Sequence, residues 1–249
     1  MEQNHKLMGS KVGGWWEPVR SAVWNFAGVK TGVGSVAQLD GKDVNELALP
    51  MPEKLVITYI SRQGAPRRKL LQDDHTALVT ALQELVARKG KSWELHVLHA
   101  ERMSKDEQIQ AVAKTTVSWI VLYLDIPLML GTQIMLGVHG NGLSHLLFMK
   151  PSRVSAVIEM FYPGGFAHDY HWTSRALGMD HYAVWNNTYL FRFVAFSYET
   201  LMVYCVRYYT YPNEPGVDYP EGFQGNSIPV DGPAVARLIE EHVDRKTKT

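Results

Sequence analysis

The chain has 249 residues, with 25 basic and 25 acidic side chains and a formal net charge of zero. That length suits one large domain, or one domain with part of a second, and 46 % hydrophobic with 20 % charged usage excludes wholesale disorder. The charge balance excludes the broad basic field of a nucleic-acid binder, and a single cysteine, Cys205, excludes an internal disulfide framework or a multi-cysteine zinc site.

Met1–Lys6 is polar and lacks the apolar stretch of a signal peptide, so no secretory address is expected in this chain. Residues 1–50 are weakly patterned. A short helix is expected near Ser21–Phe26, followed by a glycine-rich connection and a linker bounded by Pro50 and Pro52. From Leu55 the pattern sharpens. Leu55–Ile60 (LVITYI) is β-branched and almost wholly apolar, as a buried parallel strand should be. The polar loop Ser61–Lys69 follows, then a helix over Asp74–Lys89. Its apolar stripe is Leu78, Ala81, Leu82, Leu85 and Val86, and Gly90 is the stop.

Trp93–His99 reads as a second strand. Ser104–Lys114 reads as a second helix, opened by a capping box of Ser104 and Glu107. Met135–Val138 is a third strand, followed by a glycine-rich turn and a short helix over Leu143–Met149. Val154–Phe161 is a fourth strand, His168–Leu177 a further helix, and His181–Trp185 a fifth strand. A last helix spans Gly232–Asp244, with Pro233 in its first turn and Val235, Leu238 and Ile239 on one face. Strands alternating with helices predict an α/β fold with a parallel, doubly wound, Rossmann-like sheet. Ligands of such sheets bind beyond the carboxyl ends of the strands. That rule gathers Ser61–Lys69, His139–Gly142 and Glu159–Gly165 around one crevice.

The most informative string is Gly137-Val138-His139-Gly140-Asn141-Gly142-Leu143-Ser144-His145. A strand ends, glycines permit a tight turn and close backbone approach, and a helix begins. Free N–H groups at such a helix start favour an anion, for example a diphosphate. His139 and His145 can add hydrogen bonds. The residues alone equally allow a tight turn with two structural histidines. Arg62 leaves the end of a strand and presents a fork suited to phosphate oxygens, whereas Arg67 and Arg68 read as members of a solvated loop. Glu159, near the end of the fourth strand, is either a ribose-binding carboxylate or a surface acid. Phe166 and Tyr162 are either stacking partners for a base or aromatic core. His168, His171 and His181 do not have the spacing of a zinc-binding helix.

The order of a strand, Ser61-Arg62 with Arg67-Arg68, helix, strand, helix, the His139–His145 string (HGNGLSH), helix, and a strand closing on Glu159 resembles glycosyltransferase family 61. This family includes plant xylosyl- and arabinosyltransferases and animal O-linked N-acetylglucosaminyltransferases. The resemblance covers roughly Leu55 to Trp185. Its HGxGLSH string is its most specific part, although the common family form has alanine where this chain has Asn141. The resemblance implies the C-terminal, nucleotide-sugar-binding half of a GT-B enzyme, with residues 1–50 a remnant of the acceptor domain. It implies an inverting transfer from a UDP-linked sugar to a hydroxyl of a glycan or glycoprotein. Arg62 and His139 would act on the leaving diphosphate, and Gly140, Asn141, Gly142, Ser144, His145 and Glu159 would hold the donor. No metal, no cofactor and no nucleic-acid partner is implied. The compartment implied is the Golgi or endoplasmic reticulum lumen, with membrane association through segments outside this chain. The sequon Asn186-Asn187-Thr188 is compatible with that compartment. A binding module without catalysis is the alternative, because most of the acceptor domain is not in this chain.

Two apolar stretches interrupt the family pattern, Val117–Gln133 and Tyr189–Arg207. Pro127 and Asp125 near the middle of the first argue against a transmembrane helix. Both read as translated intron: for the first, valine codons begin GT, glutamine can be CAG, and excision joins a helix directly to the strand before the HGNG turn; for the second, Thr-Tyr can be written ACGTAC and arginine AGG, and excision leaves a polar loop. Sequencing of mature transcripts decides this, since transcripts that all keep both stretches would exclude it.

Overall fold

The computed structural model describes residues 16–26, 49, 51–99, 132–149, 152–191 and 227–248. In chain order the elements are α1 (Glu17–Phe26), β1 (Leu55–Ser61), α2 (Gln72–Lys89), β2 (Trp93–His99), β3 (Thr132–Val138), a 3-10 segment (Asn141–Phe148), β4 (Ala156–Met160), α3 (Asp169–Ala176), β5 (Asp180–Trp185), β6 (Thr188–Phe191) and α4 (Gly232–Thr247). The helix expected over Ser104–Lys114 lies outside the described residues. So does most of each apolar stretch.

The strands form one mixed, mostly parallel sheet in the order β2-β1-β3-β4-β5-β6. Neighbours are parallel from β2 through β5, and β6 runs antiparallel to β5. The wholly parallel sheet expected from the sequence is therefore corrected at its edge. The β5–β6 connection is only two residues long, and a connection that short can join antiparallel strands alone. Tyr189, Leu190 and Phe191, which begin the second apolar stretch, form this strand. Thr132 and Gln133, which end the first, form the start of β3. Gln133 sits where the β1–β3 register shifts, and its amide oxygen accepts from the Val56 N–H at 2.7 Å. The Thr132 and Thr58 hydroxyls pair at 2.7 Å.

Side chains alternate between the two faces of the sheet. Leu55, Ile57 and Tyr59 of β1 join Ile134, Leu136, Ile158, Tyr182 and Val184 in the main core. It is closed by Leu78, Ala81, Leu82 and Leu85 of α2 and by Val235, Leu238, Ile239 and Val243 of α4. The opposite positions, Ile60, Met135 and Val157, pack with Leu143, Leu146 and Met149 of the 3-10 segment and with Leu177 and Met179 after α3. Gly90 closes α2 at φ +69° and ψ −149°, a backbone conformation that belongs essentially to glycine. Asp231 caps α4, its carboxylate accepting from the Ala234 N–H at 2.9 Å. Gly232 lets α4 approach α2 so closely that a Cβ there would lie 2.5 Å from Leu78 Cα and N. Among the described residues no helix is long and apolar enough to cross a membrane.

His242 of α4 is buried, with one ring nitrogen 2.8 Å from the Tyr182 hydroxyl and the other 3.1 Å from the Val154 carbonyl. Burial lowers its pKa from 6.5 to about 4. Between those values the unfolded chain binds a proton that the folded chain refuses, so stability falls as the pH drops through this window. At about 1.4 kcal/mol per pH unit, His242 alone withdraws on the order of 3 kcal/mol between pH 6.5 and 4. Urea unfolding of the wild type against His242→Gln, at pH 7 and pH 4.5, is expected to show the shallower pH dependence in the variant.

Candidate functional site

The sheet order reverses between β1 and β3. Chains leaving the ends of these two adjacent strands turn away in different directions, which opens a crevice at the carboxyl edge. Two arginines of the β1–α2 loop reach into it. A Cβ built on Gly140 would lie 3.2 Å from Arg62 Nη1 and 3.2 Å from Arg68 Nη1. The first turn of the segment after β3 therefore sits beneath a pair of guanidinium groups. Gly140 has φ +144° and ψ 179°, a region that side chains avoid, so its backbone demands glycine.

Arg68 also has a positive φ, +56°. Left-handed backbone costs an ordinary residue about 1–2 kcal/mol, and here it turns the side chain back toward β3. Arg68 Nη1 reaches the His139 carbonyl at 3.4 Å, and its buried Nε has no hydrogen-bond partner among the described residues. The expectation of a solvated loop holds for exposed Arg67 and is corrected for half-buried Arg68. The repeated arginine gave no sign of direction, because only the left-handed turn separates the two.

The turn itself is shaped by close packing. The Leu143 N–H donates to the Gly140 carbonyl at 2.9 Å, and the Gly142 position abuts Ile60, whose Cγ2 would lie 2.9 Å from a Cβ there. That contact presses the segment onto β1. Where an α-helix was expected over Leu143–Met149, the chain takes a 3-10 form from Asn141. Asn141 and Ser144 are exposed toward solvent, and His145 is half-buried with Nδ1 donating to the Gly142 carbonyl at 2.8 Å. Ser144 also bonds the Tyr170 hydroxyl of α3, while burial raises the Tyr170 pKa. At its far end the segment is held by Trp16 and by Arg20 of α1. Trp16 Nε1 donates to the Leu147 carbonyl at 3.0 Å and Arg20 Nε at 3.2 Å, and Arg20 is itself paired with Glu17 at 2.7 Å.

Glu159 is not at the surface: its exposure is 0 %. Its register partners on the neighbouring strands are Gly137 and Ala183. His139 Nδ1 donates to Oε1 at 2.5 Å and His181 Nε2 to Oε2 at 2.8 Å. The burial excludes the surface acid read from the sequence, and each carboxylate oxygen already faces a histidine ring. The rings continue outward. His139 stacks on Phe161 and meets the edge of Tyr170, His181 lies 5.3 Å from His171, and His168 stacks on exposed Trp172 at 4.8 Å. Burial, then the neighbouring His181, Arg175 and His168, lower the His171 pKa to about 3. Phe166 is aromatic core, packed against Phe161 and Trp185. Among the described residues no group of three or more His, Cys, Asp or Glu side chains is arranged so that it could hold a metal ion.

The structure thus brings Arg62, Arg68, His139 and Gly140 together, sets Gly142, Ser144 and His145 along the segment that follows, and sinks Glu159 beneath them. His181 was passed over as a partner for Glu159. Its sign in the sequence was a histidine opening an otherwise apolar strand, because a buried polar ring needs a bonded neighbour. No family model matches this chain, and no curated protein matches it.

Proposed function

We propose that the crevice between the β1–α2 loop and the turn after β3 holds the diphosphate of a nucleotide sugar, and that the chain is an inverting glycosyltransferase resembling family 61. The sugar, from a UDP-linked donor, would pass to a hydroxyl of a glycan or glycoprotein. The convergence of Arg62 and Arg68 on Gly140 carries this reading. Two fixed cations beside a glycine turn suit a doubly charged leaving group, and preorganised charge of this kind is a large part of catalysis. The C-terminal, donor-binding half of a GT-B architecture agrees with a mostly parallel sheet whose order reverses at this point.

A thermal-shift and calorimetry series with UDP, UDP-xylose and UDP-N-acetylglucosamine tests it. A ligand at 100 times its Kd adds about 2.7 kcal/mol, which in a domain of this size raises the melting temperature by roughly 5–10 °C. No shift with any uridine diphosphate at millimolar concentration would sink the proposal. Binding with no hydrolysis or transfer would reduce it to a nucleotide-sugar-binding module.

A further inference from the structure

A buried carboxylate held by two imidazole rings is an expensive arrangement, because each ionised group leaves water. Its geometry indicates what it does. Both Glu159 oxygens are occupied, by His139 at 2.5 Å and His181 at 2.8 Å, and none of the residue's surface reaches solvent. A ligand hydroxyl could bond Glu159 only by displacing one of the rings.

We infer that Glu159 is a positioning residue for His139 and touches no part of the bound nucleotide. This deepens the nucleotide-diphosphate reading and rests on it. By accepting from Nδ1–H, the carboxylate fixes the rotation of the ring and steadies its doubly protonated form, in which Nε2–H is the donor that meets a phosphate oxygen. Stacking on Phe161 and the edge of Tyr170 set the ring plane. His181 holds the second oxygen and stops the carboxylate from rotating. Among the described residues the charged or titratable groups near this ring include Arg68, joined to the His139 carbonyl, Arg62 above Gly140, His171 behind His181, and His168, which feels both Glu159 and His181.

The discriminating experiment compares two ligands, UDP and inorganic pyrophosphate, by calorimetry on the wild type and on Glu159→Gln. A residue acting through His139 on the diphosphate weakens both ligands by the same factor, about tenfold. A residue bonded to ribose weakens UDP and leaves pyrophosphate unchanged, and that result would overturn the inference, as would unchanged binding of both. Should Glu159→Gln not fold, His181→Gln takes its place, because the glutamine amide can stand where Nε2 does and still donate to Oε2, and it is expected to keep most of the affinity for both ligands. Long-range nitrogen–proton NMR of wild-type His139 supplies an independent reading. A proton on Nδ1 is expected, and a ring protonated on Nε2 alone overturns the inference. If the wild type binds neither ligand while His139 carries its Nδ1 proton, the nucleotide reading has failed and the positioning of His139 stands.

Discussion

Arg62→Ala and Arg68→Ala are each expected to weaken UDP binding by roughly 10- to 100-fold, and the double variant to lose measurable binding. The reason is the pair of Nη1 atoms 3.2 Å from the Gly140 Cβ position. A hydrogen bond to a charged group contributes about 1.5–3 kcal/mol, and about 1.4 kcal/mol is a factor of ten in affinity. Since both arginines would share one ligand, their effects should not simply add. Arg68→Lys separates charge from shape: lysine keeps the charge, loses the planar fork, and is expected to recover only part of the affinity. Calorimetry at fixed ionic strength reads all four. An Arg68→Ala variant with wild-type affinity would mean that Arg68 serves only the His139 carbonyl.

Gly232→Ala is expected to cost about 3 kcal/mol of stability, read as a fall in melting temperature of roughly 10 °C. The added Cβ would lie 2.5 Å from Leu78 Cα and N, and these are backbone atoms that cannot rotate away. Helix α4 must then lift from α2, opening the core between Leu78, Leu82, Val235 and Ile239. Gly90→Ala is the control. Nothing lies within 4 Å of a Cβ at Gly90, so only its backbone, at φ +69° and ψ −149°, opposes alanine, by strain of about 1–3 kcal/mol with no clash. A loss under about 1 kcal/mol for Gly232→Ala would show that the contact with Leu78 yields easily.

What could be read from the residues was local. Leu55–Ser61 is buried along its whole length, so its apolar run had one reading. The α2 stripe of Leu78, Ala81, Leu82 and Leu85 is buried as its spacing predicts. The glycines of the turn after β3 also announced themselves, because their positions need either a special φ or an absent side chain. What could not be read depended on distant partners. Arg68 looks like Arg67 until the backbone turns it over Gly140. Glu159 looks like a strand-end acid until the register of β4 and β5 brings His181 under it. Strand β6 was hidden because Tyr189–Phe191 were read as foreign to the fold, and only the pairing of Tyr189 with Val184 gives them a place.

The grip of Trp16 and Arg20 on the Leu147 carbonyl has a further consequence. The segment that carries the turn is moored from behind by a stretch of chain distant in sequence, so any coupling between that mooring and an occupant of the crevice must run both ways. Whatever advantage an occupied crevice lends to the mooring, the mooring returns in equal measure to the occupant.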